Sequence, residues 1–188
     1  SEIHRVLAKN GLYHYLNSTN LHWKKWLERS ASFINSLDVK YQSLAKKSLF
    51  TIKAHCDSRG GVIASADSSI YNYGRDYYNY VWPRDAYYAL SPLLALGYTE
   101  EVKTYLGFMC EVIHKRGYVH HKYLPDKSMG SSWHPLMQDG VNELNIQEDE
   151  TASTVLLAIN YIRQVGMDKP ESKKYFEKLI RPGATFMA

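Results

Sequence analysis

Apolar positions recur along this chain at helical spacing, in bursts separated by two long polar stretches rich in Gly, Ser, Asp and Asn. "STNLHWKKWLERSASFINSL" places Leu21, Trp26, Leu27, Phe33 and Ile34 at roughly helical intervals, with Ser18 or Thr19 as the candidate N-cap. "DVKYQSLAKKSLFTIKAH" follows, with Asp38 as cap and Val39, Leu44, Leu49 and Ile52 on one stripe. Pro83 suits a first helical turn, and "RDAYYALSPLLAL" runs to Gly97, a natural residue just past a helix end. Thr99 is expected to cap "EEVKTYLGFMCEVIHKR", which Gly117 would end. "EDETASTVLLAINYIRQV" reads as a helix with acids in its first turn, closed by Gly166. A last helix is expected to begin near Glu171, with "RPGATFMA" left without a finish.

The two long stretches, "GVIASADSSIYNYGRDYYNYVW" and "YVHHKYLPDKSMGSSWHPLMQDGVNELNIQ", are too long for plain loops. Short extended or hairpin excursions are expected in them. Helix pair, elaborate loop, helix pair, elaborate loop suits a toroid of helical hairpins whose long loops gather at one end. The expected class is all-α.

Composition narrows the function classes. The length of 188 residues fits one domain with a real core, and 45 % hydrophobic with 22 % charged residues is ordinary globular composition. No apolar run is long enough to span a bilayer, and "SEIHRVLAKNG" lacks the apolar stretch of a signal peptide. A cytoplasmic protein without membrane partners is the expectation. The net charge of +4 is mild and the lysine doublets are scattered, so a nucleic-acid partner is not expected. Cys56 and Cys110, far apart in helix-like surroundings, read as free thiols. His120, His121 and His134 match no zinc spacing, so neither a metal nor another cofactor is expected. Tyrosine, at 16 residues, is unusually frequent. Such residues serve as core, or as walls for a sugar or other planar ligand.

Three motifs carry candidate chemistry. In "YYNYVWPRDAYYAL" the Arg84–Asp85 doublet opens a helix inside the most aromatic segment of the chain. A lone doublet of this kind is ordinarily a cap and a surface pair. Here a rigid guanidinium donor fork and a carboxylate acceptor sit among aromatic faces, the combination that a tight monosaccharide pocket needs. In "IQEDETAS", Glu148, Asp149 and Glu150 crowd a helix start. They either complement the helix dipole or raise one another's pKa, so that one stays protonated as a general acid. "SSWHPLMQDG" supplies Trp133 and an Asp-Gly turn, read as an aromatic wall or as a simple loop plug.

"YVWPRDAYYALSPLLALGY" closely resembles a segment of the glucoamylases and related trehalases of glycoside hydrolase family 15. "HKYLPDKSMGSSWHPLMQDGVNELNIQEDETA" resembles that family's next stretch, and "LHWKKWL" and "AKKSLFTIKAHCDSRGGVIASADSS" look like what precedes them. The resemblance is collinear from about Leu21 to Leu157. It implies an (α/α)6 barrel, of which residues 1–188 would form about the first half. The N-terminal β-sandwich of many prokaryotic members and the C-terminal half of the barrel are not found here. It further implies that Arg84 and Asp85 bind hydroxyls of the nonreducing-end glucose and that Trp82 lines the pocket. Lys122 and Trp133 would contact substrate, and Glu150 would be the general acid, with Glu148 as the fallback.

The implied reaction is inverting hydrolysis of α-glucosidic bonds in maltooligosaccharides, with trehalose as the other substrate. Acid and base carboxylates then stand roughly 6.5–9.5 Å apart, with water between them. The family's base lies beyond this stretch, so the chain alone is expected to be inactive, with exposed helix faces prone to self-association. A noncatalytic carbohydrate-binding or regulatory protein on the same toroid, like the regulatory subunits of phosphorylase kinase, is the alternative.

Overall fold

The computed structural model describes Arg5, Lys9 and residues 11–66, 78–131, 137, 138, 140–142 and 144–188. Its helices are α1 (Leu12–Glu28), α2 (Ala31–Ser36), α3 (Val39–Ala54), α4 (Pro83–Ala95), α5 (Thr99–Val112), α6 (Glu148–Val165), α7 (Pro170–Tyr175) and α8 (Arg181–Met187). A π-helical turn, Phe176–Ile180, joins α7 to α8. Strands β1 (Met137–Gln138) and β2 (Val141–Asn142) form a small antiparallel hairpin. The fold is all-α, with the β-hairpin inside the second long loop, as the sequence implies.

The chain divides into residues 1–49 and 50–188. In the first unit, α1 begins at Leu12, after Gly11, and not at Ser18 or Thr19. The Ser18 hydroxyl instead donates to the Tyr15 carbonyl within the helix. The predicted single helix also breaks at Ser30, whose amide and hydroxyl both bond back to the Leu27 carbonyl. Asp38 caps as expected, its Oδ1 accepting from the Lys40 amide at 3.2 Å. Of the predicted stripes, Ile34 and Leu49 are buried while Leu21, Phe33, Val39 and Leu44 lie exposed. Periodicity identifies an apolar face but not what covers it.

The second unit holds the larger core. A three-residue connection through Gly97 folds α5 back along α4, and α6 packs against both. Leu90, Leu93, Leu106, Met109, Leu157 and Tyr161 are closed to solvent between them. Glycine at 166 (φ 101°) ends α6, as predicted. Two boundaries differ. Thr99 is the first residue of α5, not its cap, and the helix stops at Val112 because Ile113 turns extended (ψ 133°). Gly117 closes a separate turn, donating to the His114 carbonyl at 2.8 Å. The last helical stretch continues through "RPGATFMA". The π turn precedes Pro182, which sits in the first turn of α8, where its missing N–H is tolerated.

The two long loops do meet. Ala64 donates to the Tyr80 carbonyl at 2.9 Å, and Val81 and Tyr123 exchange a pair of backbone bonds at 2.8 and 2.9 Å. The amide of Gly130 reaches the Lys122 carbonyl, and that of His121 reaches the Asn145 carbonyl. This patch of ladder sets Trp82 and Lys122 next to one another and leads into the N-termini of α4 and α6.

Candidate functional site

Two helix N-termini lie side by side here. Pro83 starts α4 and Glu148 starts α6, and the Arg84 guanidinium on the first meets Asp149 on the second. Arg84 Nη1 donates to Asp149 Oδ1 at 3.0 Å and to Oδ2 at 3.2 Å. The three acids of α6 part company at this point. Glu148 and Asp149 face solvent, whereas Glu150 turns inward onto the face that carries Thr154, Leu157 and Tyr161.

Glu150 has no exposed surface, and among the described residues neither carboxyl oxygen finds a hydrogen-bond partner. The Arg84 backbone amide approaches the carboxyl without closing a bond. Loss of hydration is the largest influence and pushes the carboxyl up to about 9. The Arg84 charge pulls the other way, and Asp149 and Asp85 add to the rise. A first-turn acid would ordinarily gain from the helix dipole when ionised. Here burial outweighs that gain, so Glu150 is a neutral carboxylic acid at pH 7. The Tyr105 and Tyr123 hydroxyls are pushed up too, chiefly by burial, with Glu150 contributing to both. The whole neighbourhood resists negative charge.

Trp82 is 4 % exposed, and its indole Nε1–H donates to His121 Nε2 at 3.2 Å. Tyr80 meets it edge-on at 5.6 Å and Tyr78 tilts against it at 5.4 Å. Lys122 is fully buried, its ammonium 4.1 Å from the centre of the Tyr80 ring and 5.1 Å from that of Trp82. Aromatic faces thus take over part of the hydration that a buried ammonium loses.

Arg84 and Asp85 open into a cavity of about 370 Å³. Its floor is aliphatic (Ile52, Val62, Ile63, Ala89), and His55, Thr51 and Tyr88 complete its polar wall. Trp82, Tyr80 and Glu150 are not among its walls. The predicted residues therefore form two groups joined at Arg84. One is the open cavity with Arg84 and Asp85. The other is closed to solvent: Glu150 on α6, and Trp82 and Lys122 in their aromatic cluster. Trp133 lies outside the described residues, as do His134 and Asp139. Among the described residues no three of His, Cys, Asp or Glu converge as metal ligands.

Sequence reasoning missed three participants. Tyr88 was legible, since it stands three residues after Asp85, one helical turn on. His121 and His55 carry no local signal that separates them from other histidines.

The family model of glycosyl hydrolases family 15 matches residues 39–135, just over half of the chain. The chain belongs to glycosyl hydrolase family 15. The matched stretch contains Trp82, Arg84, Asp85, Lys122 and Trp133 and ends before Glu150. No curated protein and no solved structure matches this family 15 chain. Among its described residues no helix is long and apolar enough to cross a membrane.

Proposed function

We propose that this family 15 chain contributes to inverting hydrolysis of α-glucosidic bonds at the nonreducing end of maltooligosaccharides. Glu150 is the general acid that protonates the glycosidic oxygen. Arg84 and Asp85 bind hydroxyls of the terminal glucose, one as donor and the other as acceptor. Trp133 supplies a further substrate contact, while Trp82 and Lys122, closed to solvent in this structure, stand behind Arg84 as the wall of the site. The observation that carries this reading is Glu150 itself: a buried carboxyl held up to about 9 keeps its proton at neutral pH and can deliver it to a leaving group. Neither Asp85 nor Asp149 is assigned as base, because the first is needed for hydroxyl binding and the second is tied to Arg84. No described residue is assigned as the base that activates water, and the chain by itself is expected to bind sugar without turning it over.

One observation favours a second reading, a noncatalytic sugar-binding protein: Glu150 does not reach the cavity that Arg84 and Asp85 line. Trehalose is the substrate alternative within the enzyme reading. Proton NMR with maltotriose in one tube and trehalose in another tests these together. Broadened sugar signals that sharpen in Asp85→Asn, with no new anomeric signal, are the expected result. Release of β-glucose by the chain alone would show that it supplies a base of its own. Absence of broadening would remove the glucose pocket.

A further inference from the structure

The cavity beside Arg84 and Asp85 holds two further groups whose chemistry is unspent. His55 sits just past the end of α3, and its Nδ1 lies 2.7 Å from the Thr51 carbonyl. A carbonyl only accepts, so Nδ1 donates there, and in the neutral ring Nε2 is left with a lone pair. His55 lines the cavity, and Nε2 is the ring nitrogen available to a ligand. Tyr88, on α4 one turn beyond Asp85, is 69 % exposed where it borders the same cavity. At the rim of a cavity such a ring offers a flat apolar face with a polar tip. Tyr87 meets it edge-on at 5.3 Å, supporting one side of the ring.

We infer that His55 and Tyr88 are specificity-determining residues of this cavity, Tyr88 as the platform for one pyranose ring and His55 Nε2 as acceptor for one of its hydroxyls. This rests on the reading of Arg84 and Asp85 as hydroxyl-binding residues. The cavity then offers a rigid donor (Arg84), two acceptors (Asp85 and His55), an aromatic face and an aliphatic floor. A neutral hexose matches that set, since its hydroxyls donate as well as accept and its C–H face is apolar. An anionic sugar would meet the Asp85 carboxylate, so neutral glucosides are selected over sugar phosphates or uronates.

The test uses methyl α-glucoside as probe and histidine-selective NMR on the whole chain. The His55 ring signals, identified by their loss in His55→Gln, should shift on saturation with the sugar. His55→Leu and Tyr88→Ala should each weaken binding about 3- to 10-fold, the scale of one hydrogen bond or one packed face. Tyr88→Phe, which keeps the ring, should stay within about twofold of the parent. Sugar binding that is lost in Asp85→Asn but leaves the His55 signals unmoved and survives Tyr88→Ala overturns this inference while leaving the glucose pocket standing. No binding at all, or binding indifferent to Asp85→Asn, overturns the pocket and this inference with it. The wild-type ring signals decide the question even if a variant fails to fold.

Discussion

The indole N–H of Trp82 donates to Nε2 of His121 across 3.2 Å, in a place closed to solvent on both sides. The imidazole is therefore an acceptor at Nε2, and this bond sets the plane of the indole over which the Lys122 ammonium rests. His121→Leu leaves a buried indole donor unpaired and should cost about 1–3 kcal/mol. His121→Gln, whose carboxamide oxygen can accept, should recover part of that loss. Urea unfolding measures the cost, and the Trp82 indole proton resonance reports the bond. Equal losses in both variants, with an unmoved resonance, would mean that the bond does not hold the indole.

Glu150 makes the protein less stable as pH rises. The folded protein holds the proton up to about 9, while the unfolded chain releases it from about 4.5. The folded state thus binds more protons between those values, and stability falls through that window. The contribution is fully present below pH 4.5 and gone above pH 9. At pH 7 the cost is on the order of 3 kcal/mol. Glu150→Gln should accordingly raise the melting temperature at pH 7 and leave it nearly unchanged at pH 4. A melting temperature that falls at both would show a carboxylate satisfied by partners.

Gly117 and Gly183 stand where an added Cβ would collide with a neighbour. A Cβ at Gly117 would lie 2.1 Å from the Pro182 carbonyl oxygen, on a backbone with φ 93°, and one at Gly183 would lie 2.5 Å from Val155 Cγ2. Alanine at either position should cost roughly 1–3 kcal/mol through overpacking, with added backbone strain at 117. Gly107, in the middle of α5, has nothing within 4 Å of its Cβ position. Gly107→Ala should stabilise by about 0.5–1 kcal/mol. Thermal melts of the three variants check all of these signs.

Arg84 and Asp149 act on Glu150 with opposite sign. The Arg84 charge lowers its pKa and that of Asp149 raises it. Arg84→Gln should therefore move the Glu150 titration up and Asp149→Asn should move it down. The ion pair is partly exposed (36 % and 51 %), so losing it should cost under about 1 kcal/mol. Carboxyl carbon NMR reads the shifts. Two shifts of the same sign would place Glu150 elsewhere than beside this pair.

Much of α4 and α6 was legible in the sequence, because each carries its own punctuation. Pro83 and Gly97 bracket one, and the acid triplet and Gly166 bracket the other. The inward turn of Glu150 also follows from helical spacing, since it shares its face with Thr154, Leu157 and Tyr161. Long-range pairings were not legible. Arg84 and Asp149 are 65 residues apart, and Trp82 and His121 are 39 apart. No local pattern announces either bond. The start of α1 is not marked by Ser18, because that side chain bonds to its own helix. The clustering of Tyr80, Trp82 and Lys122 depends on the Val81–Tyr123 ladder, which joins two loops that read separately as irregular.

The role proposed for Glu150, protonation of a glycosidic oxygen, requires its carboxyl to be neutral at pH 7. Carbon-13 carboxyl NMR of glutamate-labelled protein, titrated from pH 4 to 10 with Glu150→Gln as the assignment control, tests it most directly. A carboxyl that stays protonated through neutrality and titrates near 9 is the predicted result. A Glu150 carboxyl already ionised at pH 6, in the ordinary range for glutamate, would contradict it.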